Sequence, residues 1–395
     1  MPVNVDMDTK EGLRYHDFEQ GAAVPSGALA EIVRRISSGG PITFAQFMDV
    51  ALYWPDGGYY TSGRLAWGKG GDYITSIDIS PVFSALIAGQ IIEMWAALGS
   101  PASFELIEAG AGRGWLSKGV SEALDHRCPE LGGLIKVRLV EKNTSLHEPP
   151  SDKLTWHDDI TGVTQAGNAV VLSNELIDSL PVHRTIWDGS LKELYVGLDG
   201  TTLVEVPGPP STPELEQYLG GLGVKPVMGQ RMDINLAARG WLCAASRLFE
   251  RGFVITIDYG VPATELYSID RYSGTLACHY RHTINTDPFK NIGLQDITAH
   301  VDFSALAAWG RGCGLEVTGF TTQKNFFIGL GIIEELKKAE NAGYAEIDKV
   351  SYNRAMMELI APGGMGDTFK ALIQHKGIGK PSLKGFSFKD RSAYL

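Results

Sequence analysis

The sequence predicts an α/β fold organised around a mostly parallel, Rossmann-like sheet, on three observations. An apolar segment, 104–108, runs into glycines 110, 112 and 114 and then into a helical pattern. That strand–turn–helix arrangement brings backbone close to a bound cofactor. Further β-branched runs at 136–141, 169–173 and 252–258, with a weaker one at 153–156, alternate with helical periodicities, which argues for parallel pairing. With 395 residues, 44% of them hydrophobic and 21% charged, the chain is long enough for a large core and one or two domains.

The elements follow in order. Residues 26–38 read as a helix capped by Ser26, with Leu29, Ile32, Val33 and Ile36 on one face, and Gly39-Gly40-Pro41 ends it. Thr43 caps a second helix whose inner side carries Phe44, Phe47, Met48 and Leu52. From Trp54 to Ser76 the chain is rich in Gly and Tyr, and so long an irregular stretch reads as a functional lid. Ser80 and Pro81 then open a helix with a broad apolar face from Val82 to Leu98. Apolar–polar alternation between 182 and 206, broken by Asp188-Gly189 and Asp199-Gly200, predicts an antiparallel insertion. Residues 233–250 return to the sheet as a helix, and 261–300 form a second insertion without strong periodicity. A helix near 303–313, a strand near 315–321, helices within 323–361 and a final strand at 368–374 complete the reading. The expected organisation is a helical cap and lid at 1–80, a core domain at 81–375 and a tail at 376–395. Insertions near 182–232, 261–300 and 323–361 would form a subdomain covering substrate.

A net charge of −11 leaves no basic stripe to neutralise phosphates, so nucleic acid is not an expected partner. Such a field would help a cationic substrate. Cys128, Cys243, Cys278 and Cys313 lie far apart without paired spacing, so neither a metal site nor a disulfide framework is expected, which suits a reducing compartment. The apolar stretch from Ala85 to Leu98 is interrupted by Gln90 and Glu93 and is too short to span a membrane. The acidic N-terminus has neither a signal-peptide core nor Arg-rich transit character, which makes the cytoplasm the expected location.

The glycine spacing bears on the cofactor. A dinucleotide fingerprint places its third glycine five residues after the first, whereas this chain has Gly-x-Gly-x-Gly followed by Trp115. Glu108, just before the turn, would repel a phosphate and suit a cation. S-adenosyl-L-methionine (SAM) carries a sulfonium and an amino group and no phosphate, which favours methyl transfer over hydride transfer. Glu141 ends the second strand, where a carboxylate can hold both ribose hydroxyls. Asp158 or Asp159, after the third strand, could accept from the adenine amino group; adjacent acids there also cap helices. Asn174 and Glu175 follow the fourth strand and fall near the methyl donor, and Asp178 would share a helical face with Glu175. A carboxylate can orient a guanidinium through paired hydrogen bonds and help remove its proton. In the alternative, Asn174 caps a helix and the acids suit its dipole.

Seven segments carry a resemblance: 71–76, Glu108 to Gly114, Asn174 to His183, Asp258-Tyr259-Gly260, Asp296 to Phe303, Thr322-Gln323 and Gly366 to Lys370. Together they look like the MidA-like family of SAM-dependent methyltransferases, over about residues 40 to 375. The family includes a mitochondrial complex I assembly factor that methylates a protein arginine. The resemblance implies a class I methyltransferase sheet with SAM over Gly110, Gly112 and Gly114 and Glu141 on the ribose. It also implies a lid bearing Asp72, Thr75 and Ser76 on the cofactor, and Asn174 and Glu175 facing the methyl group. Trp115, Asp258 and His300 would line or support the acceptor side. This sequence departs from the family pattern at Ile77-Asp78, Ala111, Trp115 and the Ala-Cys-His-Tyr run at 277–280. The acceptor side is therefore the altered one.

The expected function is SAM-dependent methyl transfer to a protein arginine. Transfer to oxygen or nitrogen of a small molecule is the alternative, supported by Trp115 and the aromatic-rich 53–73 stretch. A SAM-holding assembly protein without catalysis is the third reading. The methyl acceptor is the expected partner, and a homodimer is compatible with the sequence.

Overall fold

The structure, a computed structural model, describes residues 27–63, 81–341, 357, 359–361 and 363–395. Helices α1 (Gly27–Gly39) and α2 (Phe44–Tyr53) flank a two-residue strand, β1 (Ile42–Thr43). Thr43 caps α2 reciprocally: its hydroxyl accepts from the Gln46 N–H at 3.1 Å, and the Gln46 side chain accepts from the Thr43 N–H at 3.0 Å. Ser26 and Ser80, the other expected caps, lie outside the described residues.

From residue 81, α3 (Pro81–Ala97) leads into β2 (Glu105–Ala109), α4 (Trp115–Arg127), α5 (Pro129–Leu134), β3 (Lys136–Val140), β4 (Leu154–His157) and β5 (Ala166–Asn174). The first insertion contains β6 (His183–Trp187), β7 (Leu191–Asp199), β8 (Thr202–Gly208), α6 (Glu214–Gly221) and β9 (Arg231–Ile234). Helix α7 (Leu236–Arg247) returns to the long strand β10 (Phe249–Val261). The weakly periodic 261–300 region holds a small sheet of β11 (Ala277–Tyr280), β12 (Thr283–Asn285) and β13 (Asp296–Thr298). Then come β14 (Val301–Asp302), α8 (Phe303–Gly312), β15 (Glu316–Thr322), α9 (Gln323–Gly329), α10 (Ile332–Asn341) and β16 (Phe369–Lys376).

The main sheet runs in the order β15-β16-β10-β5-β2-β3-β4. Pairings from β4 to β10 are parallel, but β16 lies antiparallel to both of its neighbours. The sheet is thus mixed rather than simply parallel at that edge, because a strand joined through the late helices enters from the opposite end. Strand order reverses between β2 and β5, and a crevice at such a switch point is where open α/β sheets bind ligands.

Side chains alternate across the sheet with the period of two that strands impose. Leu106, Val170, Leu172, Phe253 and Ile255 pack under α3 and α4; Ile107, Val171 and Val254 pack under α7 and α8. Full burial of one such side chain contributes about 1.5–3 kcal/mol. Gln90 and Glu93, which interrupt the apolar face of α3, receive the C-terminal segment: Glu93 accepts from the Lys384 N–H at 2.9 Å and Gln90 from the Gly385 N–H at 3.3 Å. Phe386 then enters the core beside Phe326, which seats this part of the C-terminal segment on the sheet's flank.

The expectation of unpaired cysteines is corrected. Cys243 in α7 and Cys313 after α8 form a disulfide with a Cα–Cα distance of 5.3 Å, inside the bridging range. Seventy residues separate them, and only the packing of α7 against α8 brings them together.

Candidate active site

A cleft of about 400 Å³ opens at the carboxyl ends of β2, β3, β4 and β5. Its floor is the glycine turn. The Gly110 and Ala111 N–H groups donate to the Val140 carbonyl at 3.0 and 3.1 Å, which folds the chain back over β3. Gly114 has φ +71°, and a Cβ there would sit 2.5 Å from Leu139 Cδ1 and 3.3 Å from Trp156 Cη2. It thus lets the start of α4 lie against β3, and only Gly110, Ala111, Gly112 and Arg113 of the turn reach the cleft, followed by Trp115.

Glu141 holds this turn from the neighbouring strand. One carboxylate oxygen accepts from the Gly112 N–H at 2.9 Å and the other from Asn143 at 2.8 Å. Burial pushes its pKa up. A carboxylate offers about four lone-pair sites, so these two backbone bonds leave acceptor capacity facing the cleft.

Glu108 does not line the cleft. It is buried beneath it and accepts from the Ser117 N–H at 3.1 Å, supplying the cap that Gly114, lacking a side chain, cannot give α4. Burial raises its pKa to about 7. The two acids after β4 both line the cleft but differ in their bonds. Asp159 accepts from the Thr161 N–H and hydroxyl at 2.8 and 2.6 Å, capping a 3₁₀ turn and lowering its pKa. Asp158 lines the cleft with no such capping bond to Thr161.

At the end of β5, Asn174 and Glu175 form the wall opposite Glu141. Glu175 has φ +54°, unusual for a residue with a Cβ. The Asn174 amide donates to Glu175 Oε1 at 3.1 Å, while Asn174 Oδ1 is buried without a hydrogen-bond partner among the described residues. Asp178 does not share a helical face with Glu175, because no helix forms there; it lies buried behind the loop. Burial and then the neighbouring Asp258 raise its pKa well above the carboxylate range. Burial raises the Asp258 pKa as well, to about 7, while the four backbone N–H bonds it accepts favour its charge.

Asp258 and His300, expected on the acceptor side, do not line the cleft. Asp258 is fully buried under the 175–178 loop. His300 borders a separate cavity of about 10 Å³ with Tyr218 and Asp302, and burial pushes its pKa down to about 4. Asp258 lies in β10, which pairs with β5, and His300 precedes β14, which pairs with β10. Asp72, Thr75 and Ser76 lie outside the described residues.

Further cleft residues come from the aromatic-rich 53–73 stretch and from α7. Tyr53 closes α2, donates to the Ser179 carbonyl at 3.1 Å and stacks on Tyr60 with centroids 5.5 Å apart. Tyr60 reaches Asp296 in β13 at 2.8 Å, and Lys142 lies 4.4 Å over the Tyr53 ring. Trp241 enters from α7. Only the Tyr-rich composition of 53–60 hinted at any of these. Trp115, at 46% exposure, stands at the mouth under the Arg113 guanidinium.

The buried carboxyls make stability fall on the alkaline side. Below its unfolded pKa each is protonated in both states and its contribution is complete; as pH rises through the folded value near 7 for Glu108, that contribution is lost. His300 has the opposite sign but only between about pH 4 and 6.5. Thermal unfolding of the ligand-free protein is expected to drop by a few °C from about pH 5 to pH 7.5 and to level off above that, where Glu108 is ionised in both states. Glu108→Gln should flatten that slope; an unchanged slope would rule out Glu108 as its source.

The family model described as "Putative S-adenosyl-L-methionine-dependent methyltransferase" matches residues 86–321, more than half of the chain. The chain belongs to this MidA-like family of SAM-dependent methyltransferases. A family member from Burkholderia thailandensis, solved bound to S-adenosyl-homocysteine, is 30% identical with a TM-score of 0.81, covering 94% of this chain and 100% of its own. The Drosophila melanogaster relative named "Protein arginine methyltransferase NDUFAF7 homolog, mitochondrial" is 27% identical, covering 89% of this chain and 86% of its own. The Bos taurus relative, named "Protein arginine methyltransferase NDUFAF7, mitochondrial", is 29% identical, covering 89% and 84%. Those mitochondrial names run against the cytoplasmic expectation. Among the described residues no helix is long and apolar enough to cross a membrane.

For a MidA-like methyltransferase the cofactor is SAM, and the residues present fit it. A sulfonium with an amino group, two ribose hydroxyls and an adenine amine calls for acceptors. The cleft offers the carboxylates of Glu141, Asp158 and Glu175 and the orphaned Asn174 Oδ1.

Proposed function

We propose that this methyltransferase modifies a nitrogen of a protein arginine side chain. The observation that carries the reading is Glu175, held on the cleft wall at the end of β5 by an unusual backbone conformation and by the Asn174 amide. When bound, SAM supplies a methyl group on a positively charged sulfur. The remaining requirements fall on the chain. Glu141 accepts from the ribose hydroxyls and Asp158 from the adenine amine, while Asn174 Oδ1 accepts from the amino group at the methionine end. Glu175 pairs with the guanidinium, fixes a lone pair toward the methyl carbon, and takes the proton that nitrogen releases. Tyr53 and Tyr60 exclude water from that end. The arginine acceptor draws support from the names of the Drosophila and cattle relatives and from the chain's net negative charge.

A small-molecule acceptor is the second reading, favoured by the aromatic lining of Tyr53, Tyr60, Trp115 and Trp241. Transfer of tritiated methyl from SAM into a fractionated lysate separates the two. Label in protein, recovered as methylarginine after hydrolysis, is expected; label only in small molecules would overturn the arginine reading. Tight SAM binding without transfer to any fraction would overturn both in favour of a non-catalytic role.

A further inference from the structure

We infer that Asp258 is a positioning residue for the transfer: its carboxylate gathers the backbone that aims Glu175 into the cleft. The inference rests on the role given to Glu175 above and assigns Asp258 a task other than touching the acceptor.

Strand β10 lies parallel to β5 with Ile257 opposite Asn174, so Asp258 ends one residue beyond the last β5 partner. There its Oδ2 accepts from the N–H groups of Leu176 at 3.2 Å, Ile177 at 2.8 Å and, more weakly, Asp178 at 3.4 Å. Oδ1 accepts from its own neighbour, the Tyr259 N–H, at 2.8 Å. The Glu175 N–H donates to the Ile257 carbonyl at 3.0 Å. Four successive backbone donors, 175 to 178, are therefore tied to two successive residues of β10.

This arrangement accounts for the positive φ of Glu175. A residue with a Cβ enters the left-handed region only at a steric cost, and such a conformation persists only where its surroundings over-determine it. Successive N–H groups converging on one anionic oxygen provide that determination. Asparagine is no substitute. If its oxygen took the three loop amides, its NH₂ would face the Tyr259 N–H, donor against donor.

The test is a double-mutant cycle in the full chain, read as tritiated methyl transfer from SAM into lysate protein. SAM affinity by calorimetry and the unfolding midpoint are measured beside it. Asp258→Asn is expected to lower kcat about 100-fold, as a misplacement of the order of 1 Å does, with KM for SAM nearly unchanged. Combined with Glu175→Gln it should cost no more than Glu175→Gln alone, since it acts through that residue. Multiplying effects, or wild-type kcat in Asp258→Asn, would overturn the inference. Wild-type turnover in Glu175→Gln alone would instead remove the reading of Glu175, and this inference with it. Should Asp258→Asn fail to fold, Asp258→Glu keeps the charge, moves it by one methylene and enters the same cycle with the same expected coupling.

Discussion

Glu175→Gln is expected to lower turnover by about 10²–10⁴-fold while leaving SAM affinity close to wild type. Glutamine keeps the length and can still accept from the Asn174 amide that holds Oε1 at 3.1 Å. It cannot accept a proton at neutral pH, and it replaces one acceptor of the guanidinium fork with a donor, which breaks paired recognition. The neighbouring carboxyl is no reserve: Asp178 is buried behind the loop and its pKa is raised by burial and by Asp258. Calorimetric SAM binding and methyl transfer measured on the same preparation decide the matter. Intact turnover would show that the acceptor arrives already deprotonated or is held by other groups.

Gly114→Ala is the structural counterpart, and both binding and stability should suffer. Alanine at φ +71° costs about 1–2 kcal/mol. Its Cβ would press on Leu139, which is fully buried and leaves no solvent side to yield toward, for another 1–3 kcal/mol or so. Relief requires the start of α4 to move off β3, and the Gly112 N–H would move with it from Glu141. A melting point lower by several degrees and at least about tenfold weaker SAM binding are expected. A variant with wild-type melting and binding would mean that Leu139 repacks without moving the turn.

Much of the frame was legible from the chain. The parallel strands from β2 to β5 and β10 declare themselves by short apolar runs, and the turn by glycines, which adopt positive φ without the steric cost of a Cβ. Thr43 capped α2 and the two Asp-Gly pairs broke the hairpins, because those signals act within three or four residues. The antiparallel strand β16, between β15 and β10, was harder, since a strand's direction depends on which end its connection enters.

In the site, local patterns identified Glu141, Asp158, Asn174 and Glu175 as candidates, and the tertiary structure sorted their neighbours. Glu108 is a helix cap, Asp159 a turn cap, and His300 belongs to another cavity. Tyr53, Tyr60 and Trp241 reach the cleft from three different elements.

The sequence by itself determined the strand–turn–helix frame and the methyl-donor chemistry, because both depend on residues within a few positions of one another. The tertiary structure alone decided which acids face the cleft, which are buried as anchors, and that Cys243 meets Cys313. The Asp258 anchor and the disulfide join groups 70 to 82 residues apart that become neighbours only when the sheet and its helices pack.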